Sequence, residues 1–350
     1  MNLDELINHI DIQQEKEITG IPLGFDRFKE ALPCVPKQSS IIILGGSGSG
    51  KTAFVIDKFL VNAVLFCKEN PNLADIHIDY FNLEETEQRH DLRVLSNLAY
   101  RKLGVEYSLS EMENNGNKKK LKGKTSQFKK LQSDIDYINK KVTNHTCKTP
   151  SQINNAILDS CKKLEKEGTN FASDKFYYFV IIDNLKFLKR ESKHKDVKDV
   201  IDDLCLNILQ ELRLSKYQII PIVLQHTSVS QDNMIVNVNG SVIDNKLRPS
   251  LSSMGGSSDT QTPATLIYGL FFPFRYGIAN YPTKDGYDIN MLEGNARFLI
   301  PLKSRDSSIE GMNIPIYFKG NVSAFEELPP SQEFRTNRAL YDKYKSPILS

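Results

Sequence analysis

Lys51 and Thr52 close the run Gly45-Gly46-Ser47-Gly48-Ser49-Gly50-Lys51-Thr52, in which a glycine, four residues and then Gly-Lys-Thr follow one another. That order suits a polyphosphate. Glycines let backbone N–H groups turn inward around an anion, a lysine reaches the β- and γ-phosphates, and a threonine hydroxyl ligates Mg²⁺. The expected ligand is a nucleoside triphosphate, cradled by Gly45, Gly46, Ser47, Gly48, Ser49, Gly50, Lys51 and Thr52. Other polar groups stand at the ends of apolar runs. Asp183 closes Phe179-Val180-Ile181-Ile182 and can hold Mg²⁺ opposite Thr52. Glu84 follows Asp75–Leu83 and suits a base for the attacking water, with Glu85 and Glu87 as rivals. Gln225 closes Gln218–Gln225, with an amide suited to sensing the γ-phosphate. Lys303 and Arg305 are two apart, so on a strand they share a face. Such a pair can stabilise charge on a transferring phosphoryl group; a solvated strand edge has the same pattern.

These groups need strands to carry them and helices to space them. Ile41-Ile42-Ile43-Leu44 reads as the buried strand before the phosphate loop, and Ala53–Phe66 as the helix after it. Strands are expected at 75–83, 176–183, 218–225 and 265–272, and a hairpin at 298–302 with 313–318. Pro221 is awkward in a central strand. Helices are expected at 1–17, toward Leu32, from Glu84–Glu87 to Leu103, at 126–141, after Thr149-Pro150, and at 201–214. Residues 228–262, polar and rich in Ser, Asn and Gly, read as a long loop of the kind that is either functional or disordered. Strands alternate with helices as far as Gln225 and then follow one another. This predicts an α/β fold, a mainly parallel sheet flanked by helices with an antiparallel extension at its C-terminal edge.

The chain of 350 residues carries 45 basic and 43 acidic residues, which excludes a uniform coat of positive charge but allows a local basic channel. Its five cysteines form no Cys-x-x-Cys pair, so neither zinc nor a disulfide framework is expected. The acidic N-terminus lacks a signal-peptide pattern and no apolar run is long enough for a membrane, so a cytoplasmic protein is expected. The lysine run Lys118-Lys119-Lys120, with Lys122 and Lys124, sets 106–148 apart as a Lys-rich helical segment and reads as a solvated face.

In this order the motifs resemble the RecA-like P-loop ATPases, and within them the C-terminal ATPase domain of DnaB-type replicative helicases. Thr19-Gly20-Ile21-Pro22-Leu23-Gly24-Phe25-Asp26 is similar to the stretch before the family's phosphate loop, one shared with KaiC-like ATPases. Phe81-Asn82-Leu83-Glu84-Glu85 resembles the motif bearing the catalytic glutamate, which falls on Glu84. Ile181-Ile182-Asp183-Asn184-Leu185 resembles Walker B, and Leu224-Gln225-His226 the sensor motif. Arg248-Pro249, followed by Gly255-Gly256-Ser257, stands where the family carries its single-strand DNA loop, which implies DNA contacts at Arg248, Gly255, Gly256 and Ser257. The family's charged residues in that loop are replaced here by Ser, Gly and Asp259, so contact through backbone N–H groups is expected. Leu302-Lys303-Ser304-Arg305-Asp306 resembles the finger motif that reaches a neighbour's nucleotide.

The resemblance spans 18–328 and implies a RecA-like motor domain there, with the Lys-rich helical segment 106–148 within it. Residues 1–17 are a docking or linker helix, in place of the family's primase-contacting domain, and 329–350 a loose or partner-docked tail. It implies ATP and Mg²⁺ as cofactors and a homo-hexameric ring that translocates on single-stranded DNA and unwinds duplex. Primase or a helicase loader would be further partners, in a bacterial or phage-infected cell. Two other uses of the same core stay open: a recombinase filament, and a KaiC-like regulatory ATPase that does not bind DNA.

Overall fold

The apolar runs become one nine-stranded sheet in the structure, a computed structural model that describes residues 3–14, 16, 18–29, 34–113, 121, 125–228, 237–238, 241–242, 247–282, 286–305 and 309–344. In chain order the strands are β1 Ile41–Gly45, β2 Asp75–Asn82, β3 Val142–His145, β4 Phe176–Asp183, β5 Ile220–His226, β6 Leu266–Phe271, β7 Ala296–Ser304, β8 Ile314–Lys319 and β9 Ala324–Glu327. Their order across the sheet is β9-β8-β7-β6-β1-β5-β4-β2-β3. The strands β1 to β6 pair in parallel, and β7, β8 and β9 extend the β6 edge antiparallel. Both faces of the parallel part are covered, which is why β1 and β4 are buried at every position and apolar but for the terminal Asp183 of β4.

Lys51–Val55 begins the helix that follows the phosphate loop; it passes through a π turn, Ile56–Val61, and continues as Asn62–Glu69. Phe54, Phe59 and Val64 pack it on Ile41, Ile43, Ile76 and Ile78 of one face. Each such side chain, fully buried, contributes about 2 kcal/mol of transfer free energy. Pro150–Lys166 covers the other face with a second helix, Val197–Asp202, a π turn Asp203–Leu209 and Gln210–Leu214. Thr149 caps Pro150–Lys166 in a box with Gln152, and Thr86 caps Glu87–Leu103, as Thr-Pro and Glu-rich starts lead one to expect.

The structure differs from the sequence reading at several places. Val142–His145, within the expected helical segment 106–148, is the outer parallel strand, where β-branched Val142 and Thr143 pair with β2. Pro221 sits in a regular strand, because pairing with β1 begins only at Ile222. The tail is docked on its own chain: Ser331–Thr336 and Leu340–Lys343 bury Phe334 and Tyr341 against Tyr287 and Phe298. The helix Leu3–Gln14 leaves Leu3, Leu6, Ile7 and Ile10 in solvent, 40% to 68% exposed. The lysines 118–120, 122 and 124, the pattern at Leu32 and Asp306 lie outside the described residues. Among the described residues no helix is long and apolar enough to cross a membrane.

Candidate functional site

The phosphate loop leaves the C-terminal end of β1, between β6 and β5. Gly48 and Gly50 adopt φ of 73° and 96°, the left-handed region that L side chains rarely occupy. A Cβ on Gly50 would also come within 3.1 Å of the Phe325 ring. Lys51 is buried and folds back over the loop, donating to Gly45 O at 2.8 Å and Gly46 O at 3.0 Å, with His226 Nδ1 at 3.5 Å. Among the described residues the buried Ser49 hydroxyl inside the loop finds no hydrogen-bond partner. A bound phosphate can satisfy that orphan and offer Lys51 a stronger acceptor than the carbonyls it now holds.

Thr52 and Asp183 meet as the spacing requires: Thr52 Oγ1 donates to Asp183 Oδ1 at 3.1 Å. The buried Tyr80 hydroxyl donates to the other carboxylate oxygen at 2.7 Å. Burial pushes Asp183 up to about 6, against the pull of the Tyr80 and Thr52 hydroxyls, and the nearby Glu84 adds to the rise. A hydroxyl and a carboxylate oxygen at this separation are the hard oxygen donors that Mg²⁺ takes. Glu84 lies beside them, its Oε2 accepting from Asn184 Nδ2 at 2.8 Å. Its rivals have other duties. Arg93 engages Glu85 with two bonds, at 2.6 and 2.8 Å, and Glu87 is exposed in the first turn of its helix.

Gln225 is buried, and its amide is engaged by the 255–260 stretch. Its Nε2 donates to Gly255 O and Ser257 O at 2.7 and 2.8 Å, and its Oε1 accepts from Thr260 at 2.9 Å. The expected γ-phosphate sensor therefore grips the 255–260 stretch with all its donors. That stretch is itself folded inward. Gly255 N–H donates to His226 O, and the Ser257 hydroxyl to Asp202, so only Gly256 of the Gly255-Gly256-Ser257 trio is exposed. Arg248 reaches Gly311 O at 3.4 Å. The four residues expected to contact DNA are not assembled as one open surface in this conformation.

Lys303 and Arg305 do share a face: Lys303 Nζ donates to Gln261 O at 2.5 Å and Arg305 to Thr262 O at 2.7 Å. The register puts them far from this chain's own phosphate loop. Leu266 pairs with both Ile41, the first residue of β1, and Ser304, the last of β7. The finger pair is thus level with the start of β1, about 13 Å of strand from the loop at Gly45. Arg305 is exposed there.

Several groups at the site had no role assigned from the sequence. Tyr80 sits in an apolar strand, and Asn184 and His226 stood within the Walker B and sensor resemblances without an assigned role. Arg297 donates to Ser49 O from β7, a contact only the antiparallel register reveals.

No protein-family model matches this chain, and no curated protein does. Among solved structures the chain is similar to a DnaB-like replicative helicase whose interactions with primase were described, at 16% identity and a TM-score of 0.66, covering 93% of this chain and 68% of that one. It is also similar to a second solved structure, an isolated ATPase domain, at 17% identity and a TM-score of 0.64, over 94% of this chain and 99% of that one. A KaiC-like protein from Pyrococcus horikoshii aligns at 14% identity with a TM-score of 0.43 over 90% of this chain. The fold is RecA-like, of the kind seen in P-loop ATPase domains of the DnaB type.

Proposed function

We propose that this chain is the motor subunit of a ring, built of six copies, that hydrolyses ATP at subunit interfaces to translocate on single-stranded DNA and unwind duplex. The observation that carries the reading is the separation of Lys303 and Arg305 from this chain's own phosphate loop by the length of β1. Side chains at that end of the sheet are useful to phosphoryl transfer only if another subunit brings its nucleotide to them.

Within one subunit, Lys51 and the loop N–H groups bind the β- and γ-phosphates. Thr52 and Asp183 would hold Mg²⁺, which when bound neutralises charge on the phosphates. Glu84, oriented by Asn184, accepts the proton of the attacking water. Arg305 of a neighbour, with its Lys303, stabilises the charge that develops on the γ-phosphoryl group. Gln225 links this site to the DNA-facing loop through Gly255, Ser257 and Thr260, and the same segment runs on to Gln261 and Thr262 under the finger pair. Rearrangement of this segment on DNA binding would open the Gly255–Ser257 stretch and carry the signal between interfaces. The exposed stripe of Leu3, Leu6, Ile7 and Ile10 suits docking on the adjacent subunit. The domain division is then 1–17 docking helix, 18–328 motor and 329–350 tail. Primase or a loader would be a further partner, in the cytoplasm.

The test is ATPase activity with and without single-stranded DNA, strand displacement on a forked duplex, and micrographs with nucleotide. Closed rings, DNA-stimulated turnover and displaced strand are expected. Open filaments would favour strand exchange by a recombinase. Turnover indifferent to DNA, with no salt-dependent binding, would favour a regulatory ATPase.

A further inference from the structure

Behind the phosphate loop the fold buries a guanidinium among neutral groups. Arg297, the second residue of β7, is 4% exposed. Its Nε donates to Ser49 O at 3.0 Å and its Nη2 to Gly48 O at 3.3 Å. Nη1 donates to Gly294 O at 2.5 Å and to Ala296 O at 2.9 Å. The guanidinium lies 3.4 Å from the centre of the Phe272 ring and 5.1 Å from that of Phe318. Buried charges are ordinarily paired, yet among the described residues every acceptor of Arg297 is a backbone carbonyl. Burial alone pushes its guanidinium down to about 9.

Two consequences follow from elementary geometry. In a trans peptide the C=O of one residue and the N–H of the next point in opposite directions. With Gly48 O and Ser49 O held on the outer side by Arg297, the N–H groups of Ser49 and Gly50 face the concave side, where Ser49 N–H now meets Gly46 O at 3.3 Å. Arg275 does the same for the preceding peptide by donating to Ser47 O. Secondly, an anion in the loop would lie one peptide layer from an uncompensated positive charge, in surroundings that screen it weakly.

We propose that Arg297 is a positioning residue for the triphosphate: it turns the loop's N–H groups inward from behind and supplies the buried charge that a bound polyphosphate compensates. The proposal rests on the reading of Gly45–Thr52 as a nucleotide site. It makes a distinction that a purely structural arginine would not. Removing the guanidinium weakens nucleotide binding by the folded protein, beyond any change in the stability of the nucleotide-free chain.

The experiment compares the wild-type chain, Arg297→Met, Arg297→Lys and Lys51→Ala, measuring the affinity for a fluorescent ADP and the melting temperature with and without saturating ADP. R297M keeps an apolar stem between Phe272 and Phe318 and loses every donor. It is expected to melt cooperatively and to lose about 30-fold in affinity, with R297K intermediate because its ammonium keeps the charge but cannot fork to two carbonyls. If R297M does not fold, R297K alone decides: a loss of about 5-fold or more upholds the proposal and wild-type affinity overturns it. An R297M chain that melts earlier yet binds ADP within about 3-fold of wild type also overturns it. If Lys51→Ala likewise leaves ADP affinity unchanged, the nucleotide reading itself fails. If Lys51→Ala loses binding while the Arg297 variants do not, only this proposal fails.

Discussion

At the end of the sheet where β1 gives way to the phosphate loop, the functional groups are buried and held from several sides. Asp183 is fixed by Tyr80 and Thr52, Lys51 by two loop carbonyls, and the loop itself by Arg297. At the other end Lys303 and Arg305 rest on two backbone carbonyls, and Arg305 stays exposed. One end is preorganised within the chain, as electrostatic stabilisation of a phosphoryl group demands. Among the described residues the hydrogen bonds of the other end reach backbone carbonyls and no carboxylate, which suits half of an interface site before assembly. The Gly255–Thr262 segment spans the two, tied to Gln225 above and to the finger pair below.

The sharpest break at the preorganised end is Lys51→Ala, which should abolish measurable nucleotide binding; titration with a fluorescent ADP checks this. At the open end Arg305→Ala should leave nucleotide affinity in place and lower turnover by about 10³-fold, as finger residues do in related chemistry. Steady-state ATPase beside equilibrium binding separates the two effects, and a loss of binding in R305A would erase the contrast between the ends.

A reference for global stability comes from neither end. Asp79 is buried in β2 and accepts from His77 at 3.3 Å, His145 at 3.0 Å and Ser160 at 3.0 Å. Burial opposes its ionisation, but the histidine and Tyr178 donors outweigh this and hold it at about 2, below the usual carboxylate range. A carboxyl lowered in the folded state contributes stability that is complete above about pH 4 and is lost as pH falls toward 2. Urea unfolding should therefore show about 2 kcal/mol of acid-dependent loss across that window, absent in Asp79→Asn. An unchanged slope in that variant would show that the cluster does not govern acid stability. The smallest effect is expected where the two ends connect. Gln225→Ala strips Gly255 O and Ser257 O of their donor and should reduce DNA stimulation of the ATPase by about 10-fold. Undiminished stimulation would mean that the ends communicate by another route.

How far this was legible from residues alone depends on how local each feature is. The phosphate loop, its strand and the Thr149-Pro150 helix start are written in contiguous residues, because turn geometry and capping act within a few positions. Asp183 and Glu84 were legible as strand ends in a parallel sheet. Gln225 was legible as the polar end of an apolar run, but its partners were not, since they lie 30 and more residues away at Gly255, Ser257 and Thr260. Tyr80 and Arg297 were invisible for the same reason: Tyr80 looks like one more residue of an apolar strand, and Arg297 like a charge at the edge of the expected strand 298–302, until the fold sets each beside its partner. Lys303 and Arg305 were legible as a pair, whereas their distance from their own phosphate loop needed the Leu266 alignment.

The central claim, that the pocket at Lys51 is half a site completed by the next subunit, is tested most directly by mixing. Lys51→Ala subunits keep the finger and Arg305→Ala subunits keep the phosphate loop, so each pure assembly should be almost inactive. In an equimolar mixed assembly about a quarter of the interfaces combine an intact loop with an intact finger. ATPase activity should then appear that neither variant shows alone, up to about a quarter of wild type if interfaces act independently. Mixed assemblies, verified by a tag on one variant, that stay as inactive as the pure ones would contradict a site shared between subunits.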